Sequence, residues 1–237
     1  MITSILFDLD DTLYDQLHPF IKAFQLTFPS VKNINAEKLF KIFRQKSDEV
    51  FPSYQAHLLS QELMWEYRMS ATMRAIGVSN YNYQQIMAFE KAYNFNLNHI
   101  KPYSEIISLI KYLLKQNYYL AIISNGDYQH QIKKITALKI DQYIPLNKIF
   151  ISDCLGVAKP NPEIFLRVAS RQNLLPSKML YIGDNYINDI VAAQQAGLKT
   201  VWFNHRHVHL SNRKILPSLE ISSPRALFNI VDFLKKN

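Results

Sequence analysis

The 237-residue sequence predicts an α/β protein: a doubly wound parallel sheet carrying an inserted, all-helical second domain. Three observations predict it. Apolar runs such as ITSILFDL, YYLAIIS and MLYIG lack the polar alternation of half-exposed strands, as strands covered on both faces do. From residue 101 onward such runs alternate with segments of helical spacing, the pattern of a parallel sheet wound with helices. Between the first run and residue 101 about eighty residues keep helical spacing, with no convincing strand among them.

Taken in order, residues 2–9 predict the first strand, ending in acid at Asp8, Asp10 and Asp11. In the insertion, Leu39, Ile42, Phe43 and Val50 form one stripe with Phe40 beside it. Residues 55–76 continue with Leu58, Leu59, Leu63, Met64 and Tyr67 until Gly77 stops the helix, and 83–95 predict another. Residues 104–116 then form an amphipathic helix through Ile106, Ile107, Ile110, Leu113 and Leu114. Strands follow at 118–124, 148–152, 179–183 and 200–203. Helices are expected at 127–138, 162–172 and 188–196, the last closed by Gly197. Ser223-Pro224 opens a final helix with Leu227, Ile230, Val231 and Leu234 inward. The domains are therefore expected as 1–14 with 99–237, and 15–98 as the helical insertion.

Composition narrows the class. Apolar residues at 48% and charged residues at 19% exclude a disordered chain. Met1 leads into strand-like sequence rather than a signal peptide, and no apolar run approaches membrane-span length. One cysteine, Cys154, excludes an intrachain disulfide and makes a reducing cytoplasm the expected compartment. Residues 1–100 hold nine basic and ten acidic side chains, whereas 101–237 hold eighteen basic and nine acidic. The excess lies in the C-terminal part as scattered lysines, without a dense basic run, so a solvated surface is expected rather than a nucleic-acid track.

Ligands of such sheets bind at the carboxyl ends of the strands, and there the polar residues collect. The first run delivers Asp8, Asp10 and Asp11. The second delivers Ser124-Asn125-Gly126, the fourth Gly183-Asp184-Asn185 with Asp189 a turn later, and Lys159 stands in GVAKPNPEIF. Buried, unpaired carboxylates cost several kcal/mol each, so a core would not choose them. Asp8, Asp10 and Asp184 at one sheet edge ask for a cation, and hard oxygen donors with room for water and phosphate describe Mg²⁺. Ser124 and the N–H groups of Asn125-Gly126 suit phosphate oxygens, and Lys159 supplies opposing charge. The arrangement suits phosphoryl transfer.

FDLDDTL, ISNG, GVAKPNPEIF and IGDNYINDI, in this order and spanning essentially the whole chain, resemble the haloacid dehalogenase-like (HAD) hydrolase superfamily. The helical insertion after the first motif resembles the phosphatase branch with a cap between motifs one and two. The resemblance implies a Rossmann-like core, and Asp8 as a nucleophile forming an aspartyl-phosphate. It implies Asp10 as the acid that protonates the leaving alcohol and then activates water. It also implies Mg²⁺ on Asp8, the backbone carbonyl of Asp10, and Asp184. Ser124, Asn125 and Lys159 would hold phosphate, with Thr12 supporting the nucleophile loop and Asp189 orienting the site. The dehalogenase branch lacks an acid where Asp10 stands, which favours phosphate chemistry. The expected substrate is a small phosphorylated metabolite, a nucleoside monophosphate or a sugar phosphate, with polymers poor substrates and no nucleic-acid or membrane partner. The alternatives are a sugar-phosphate mutase, a haloacid dehalogenase and a non-catalytic binding protein.

Other residues carry blander expectations. Asp11 reads as a turn or cap acid, and Asp153 and Cys154 as structural. His205, His207 and His209 read as a solvated loop rather than a metal site. Among the aromatics of the insertion (Phe20, Phe24, Tyr54, Trp65, Tyr67, Tyr81, Tyr83) most are expected in helix cores, although some could stack a nucleobase. Arg44, Arg68 and Arg74 could touch a second anion of the substrate, but single arginines on helices are expected to be solvated.

Overall fold

A computed structural model describes residues 1–211 and 213–236. Six parallel strands form one sheet: β1 (Ser4–Phe7), β2 (Tyr119–Ser124), β3 (Ile149–Ile151), β4 (Met179–Gly183), β5 (Lys199–Phe203) and β6 (Leu219–Ile221). Their order is β3-β2-β1-β4-β5-β6. SILF takes the centre because all four of its residues are buried, so it tolerates a neighbour on each side and cover on each face. Phe7 is level with Ile122 on β2 and with Ile182 on β4. This register brings Asp8, Ser124 and Asp184 out at neighbouring strand ends.

The chain divides into two compact units, Met1–Asp15 with Lys101–Asn237, and Gln16–Ile100. In the first, Leu6, Ala121, Ile123 and Tyr181 pack with Ile164, Phe165 and Val168 of a helix over Glu163–Arg171. A short bridge between Tyr14 and Pro102, backed by the Tyr103 N–H donating to Leu13 O at 3.0 Å, ties the two connecting segments together. The second unit holds four helices: α1 (Leu17–Thr27), α2 (Ala36–Gln55), α3 (Gln61–Ala75) and α4 (Tyr83–Leu97). Phe20 is their hub, with ring centroids 4.7 Å from Phe43, 5.3 Å from Phe40 and 5.6 Å from Phe89. No helix among the described residues is long and apolar enough to cross a membrane.

Several expected elements differ. The helical stretch over 55–76 is broken: α2 ends at Gln55, and Ser60 caps the start of α3 by accepting from the Leu63 N–H at 3.2 Å. Leu58, Leu63 and Tyr67 are consequently exposed instead of forming an apolar face. Gly77 does end α3, with φ +75°. Two further helices of the first unit are α5 (Ser104–Lys115) and α6 (Tyr128–Ala137). On α5, Leu109 rather than exposed Leu114 completes the buried stripe. The final helix opens with a 3₁₀ stretch at Pro224–Phe228 before Asn229–Lys236, and β6 had no expectation at all. The predicted 188–196 helix starts instead as a wide π-turn over Tyr186–Val191 and becomes α-helical at Ala192–Gln195. Asp189 lies in that wide turn and points inward, a recurrent use of π geometry beside reactive groups.

Candidate active site

Lys159 is the centre of the strand-end cluster. Its Nζ donates to Asp8 Oδ1 at 2.6 Å, to Asp189 Oδ1 at 2.7 Å and to the Tyr181 hydroxyl at 2.9 Å. Asn125 holds its backbone from both sides: Asn125 Nδ2 donates to Lys159 O at 2.7 Å, and the Lys159 N–H donates to Asn125 Oδ1 at 2.9 Å. Tyr181, buried on β4, donates its hydroxyl hydrogen bond to Ile123 O at 2.8 Å, so its oxygen is fixed to accept from the ammonium. Asp189 Oδ2 accepts from the Asn185 N–H at 2.9 Å.

The electrostatics of this cluster are unbalanced. One ammonium is shared by two carboxylates, and oxygens of Asp8, Asp184 and Asp189 lie within 4.8 Å of one another. Burial pushes the Asp8 carboxyl up to about 7 despite the opposing pull of Lys159, with Asp189 adding to the rise. Burial would lower the Lys159 ammonium, but Asp189 and Asp8 outweigh it and hold it well above its usual range. Carboxylate oxygens this close, with Asp8 and Asp189 buried, fit a small hard divalent cation such as Mg²⁺. Asp8, Asp184 and Asp189 are the side chains that could hold it. Thr12 Oγ1 reaches Asp184 Oδ1 at 3.4 Å, and Trp202 Nε1 fixes Asp184 O at 2.7 Å.

Asp10 faces a second set of groups. Lys134 Nζ donates to its two oxygens at 2.7 and 2.6 Å, the Tyr14 hydroxyl donates at 2.5 Å, and Gln131 Nε2 at 3.0 Å. The same Gln131 nitrogen lies 2.5 Å from Ser124 Oγ and 2.8 Å from Asn125 O, linking the first strand end to the second. The Asp10 carboxylate is thus held by Lys134, Tyr14 and Gln131, outside the Asp8–Asp184–Asp189 group whose oxygens lie within 4.8 Å of one another. The Gly126 N–H, expected at phosphate, donates instead to Ser152 Oγ at 3.0 Å, because that buried hydroxyl at the end of β3 needs a partner. Tyr14, Gln131, Lys134 and Tyr181 escaped the sequence reading. The signal for two of them was Gln131 and Lys134 three apart on α6, buried on the same helix as Ile135.

The histidine expectation is corrected in part. His207 and His209 are exposed, but the His205 side chain is buried against Phe203, ring centroids 4.5 Å apart, with Nε2 2.9 Å from Asp11 O. Of the insertion arginines, Arg68 is no solvated cation: it pairs with buried Glu90 and lies 4.9 Å over Phe43, while Arg44 donates to Gln16. Phe20 and Phe24 are core as expected, whereas Tyr67 and Tyr83 are exposed.

Residues 5–203 match the model of the haloacid dehalogenase-like hydrolase family. The chain belongs to that family. This haloacid dehalogenase-like hydrolase is 26% identical, over the whole of both chains, to a glyceraldehyde 3-phosphate phosphatase of Methanopyrus kandleri. It is also 26% identical to a pyrophosphatase of Listeria monocytogenes, over 82% of this chain and 80% of that one. Among solved structures, the HAD-hydrolase YfnB of Bacillus subtilis, bound to magnesium, superposes with a TM-score of 0.73 at 25% identity, covering 98% and 99% of the two chains. An L-2-haloacid dehalogenase of Xanthobacter autotrophicus shares the fold, with a TM-score of 0.72 at 15% identity over 98% and 99%.

Proposed function

We propose that this hydrolase is a Mg²⁺-dependent phosphatase that removes phosphate from a small metabolite, a sugar phosphate before a nucleoside monophosphate. The observation that carries the reading is the convergence of Asp8, Lys159, Asp184 and Asp189 at one sheet edge, with Asp10 and Ser124 adjoining. The relatives named as glyceraldehyde 3-phosphate phosphatases support the sugar-phosphate class.

In this reading an Asp8 oxygen attacks phosphorus and the ester P–O bond breaks. The electron pair leaves with the alcohol oxygen, which takes a proton from Asp10. Water then attacks the aspartyl-phosphate, giving its proton back to Asp10 and releasing phosphate and free Asp8. Mg²⁺ on Asp8, Asp184 and the Asp10 carbonyl, with Asp189 beside them, would neutralise phosphate charge. Ser124, Asn125 and Lys159 bind phosphate or hold the residues that do. Lys134, Tyr14 and Gln131 hold the Asp10 carboxyl in place for both proton transfers. Asp10 itself speaks for phosphate over carbon–halogen cleavage, since the resemblance places no acid there in dehalogenases. The helical unit serves as a cap that selects small substrates, and the single cysteine suits a reducing cytoplasm.

The test is a panel of phosphorylated metabolites, a phosphopeptide and a 5′-phosphorylated oligonucleotide, with Mg²⁺ and with excess chelator. Metabolite hydrolysis that needs Mg²⁺ and disappears in Asp8→Asn is expected. Full turnover in chelator, or an active Asp8→Asn, refutes the mechanism, and faster turnover of the polymers refutes the cap.

A further inference from the structure

We propose that Arg206 is a positioning residue for the turn that carries the reacting carboxylates, acting through Asp11. The inference rests on the reading of Asp8 and Asp10 given above, and its basis is a strained turn with an unusual anchor. Between Asp8 and Tyr14 the chain reverses, with the N–H groups of Thr12 and Leu13 donating to Leu9 O at 3.4 and 3.0 Å. Asp11 at its corner has φ +62°, the left-handed region that a residue with a Cβ enters only at a cost of order 1 kcal/mol or more. The side chains that clasp it come from nearly 200 residues away in sequence. Arg206 clasps the buried Asp11 carboxylate with Nε on Oδ2 at 2.9 Å and Nη2 on Oδ1 at 2.6 Å, and the same Nη2 donates to Asp15 Oδ1 at 2.5 Å. His205 meets the backbone oxygen of Asp11 at 2.9 Å.

The anchor is itself rigid. His205 stacks on Phe203, the last residue of β5, and Tyr103 packs edge-on against both rings. Asn204 fixes the loop, its N–H donating to Ile221 O at 2.8 Å and its Oδ1 accepting from the Val208 N–H at 2.7 Å. A bidentate guanidinium–carboxylate pair sets direction as well as distance, which a lysine cannot do. The turn is therefore held at three points: at its start by the Asp8 N–H donating to Ile182 O at 2.8 Å, at its end by the Leu13–Tyr103 hydrogen bond, and at its corner by Arg206. Releasing the corner lets Asp11 relax and moves Asp10, one residue before it.

The test compares wild type with Arg206→Met, Arg206→Lys and the double variant Asp11→Gly/Arg206→Met, each checked for folding by circular dichroism. Kinetics use the best phosphate ester of the panel, and amide hydrogen exchange is read on the peptide spanning residues 9–14. Arg206→Met is expected to lower kcat about tenfold or more with KM within about threefold, as displacement of reacting groups does. The turn amides should exchange about fivefold faster or more. Arg206→Lys should fall between, and glycine at position 11, at ease with positive φ, should restore part of kcat. A folded Arg206→Met with wild-type kcat, or faster exchange without loss of kcat, overturns the inference and leaves the pair a stabilising contact. Lost kcat with unchanged exchange also overturns it. If Arg206→Met fails to fold, Arg206→Lys decides by the same two readouts. A wild type without Asp8-dependent turnover fails the phosphatase reading instead, and exchange alone then decides whether Arg206 orders the turn.

Discussion

Gly183 closes β4 immediately before Asp184, and no side chain fits there. A Cβ at this position would lie 2.6 Å from Asp189 Cβ and closer still to its Cγ and Oδ2, where ordinary contact begins at 3.4 Å. In Gly183→Ala the nearest Asp189 side-chain atoms must therefore retreat by about 1.0 Å to reach ordinary contact. A retreat of that size away from Lys159 would lengthen the 2.7 Å contact to about 3.7 Å, past hydrogen-bond range, and would loosen the hold on the Asn185 N–H. Overpacking of this kind costs about 1–3 kcal/mol, a Tm lower by about 3–10 °C in a chain of this size. The loss in kcat/KM should be larger than stability suggests, about 30- to 100-fold, because Lys159 loses one of its two carboxylate anchors beside Asp8. The assay is a double-mutant cycle with Asp189→Gly, measured by thermal denaturation and by kcat/KM on the best substrate. Gly183→Ala should cost little in the Asp189→Gly background, since the obstructing atoms are gone. A folded Gly183→Ala with kcat/KM within about twofold of wild type, or equal losses in both backgrounds, would refute the reasoning.

Burial would raise the Asp11 carboxyl, but His205 and Arg206 hold it well below the usual range, so its folded-state pKa is depressed. That stability is present above the unfolded carboxylate range and fades as pH falls below about 4, so the Tm gap between wild type and Asp11→Asn should be widest near pH 7 and narrow in acid. Lys134→Met leaves the Asp10 carboxylate without its ion pair and should cost about 3 kcal/mol, read as a lower denaturation midpoint in urea at unchanged slope. Phe20→Ala empties the hub of the helical unit and should cost about 3–5 kcal/mol; a cost under about 1 kcal/mol in the same titration would mean the hub repacks.

The candidate site residues were legible in the sequence because each is a polar residue placed directly after an apolar run, where the chain has no structural use for it. Asp8, Ser124 and Asp184 each follow that rule. Their helpers do not. Tyr181 sits inside MLYIG and reads as one more core residue, and only the spacing of β2 from β4 across β1 puts its hydroxyl between Ile123 O and Lys159. Gln131 and Lys134 read as an ordinary polar helix until the close of β2 aims α6 at Asp10. Arg206 pairs with a residue nearly 200 positions earlier, a distance that no local pattern carries. The same holds for secondary structure. Long periodic helices such as α2 were visible, whereas three-residue β6 is too short for any period, and the wide turn at Tyr186–Val191, from which Asp189 reaches Lys159, departs from the α-helical period.

The place of the helical unit in the chain also sets an order of events on the ribosome. β1 is made first, yet both of its partners come later: Ser4 pairs with Tyr119 and with Met179. At about 5–20 residues per second, the central strand waits about 6–23 s for its first neighbour. Residues Gln16–Ile100 are complete before β2 exists, and they form a compact unit with a core built around Phe20. A growing chain should thus acquire its helical unit first, while SILF stays an unsatisfied strand that a chaperone or another nascent chain could capture. Limited proteolysis of stalled nascent chains with about 110 residues outside the tunnel should protect 16–100 while the N-terminal strand is still cut; simultaneous protection of both would show that the strand does not wait for its sheet partners.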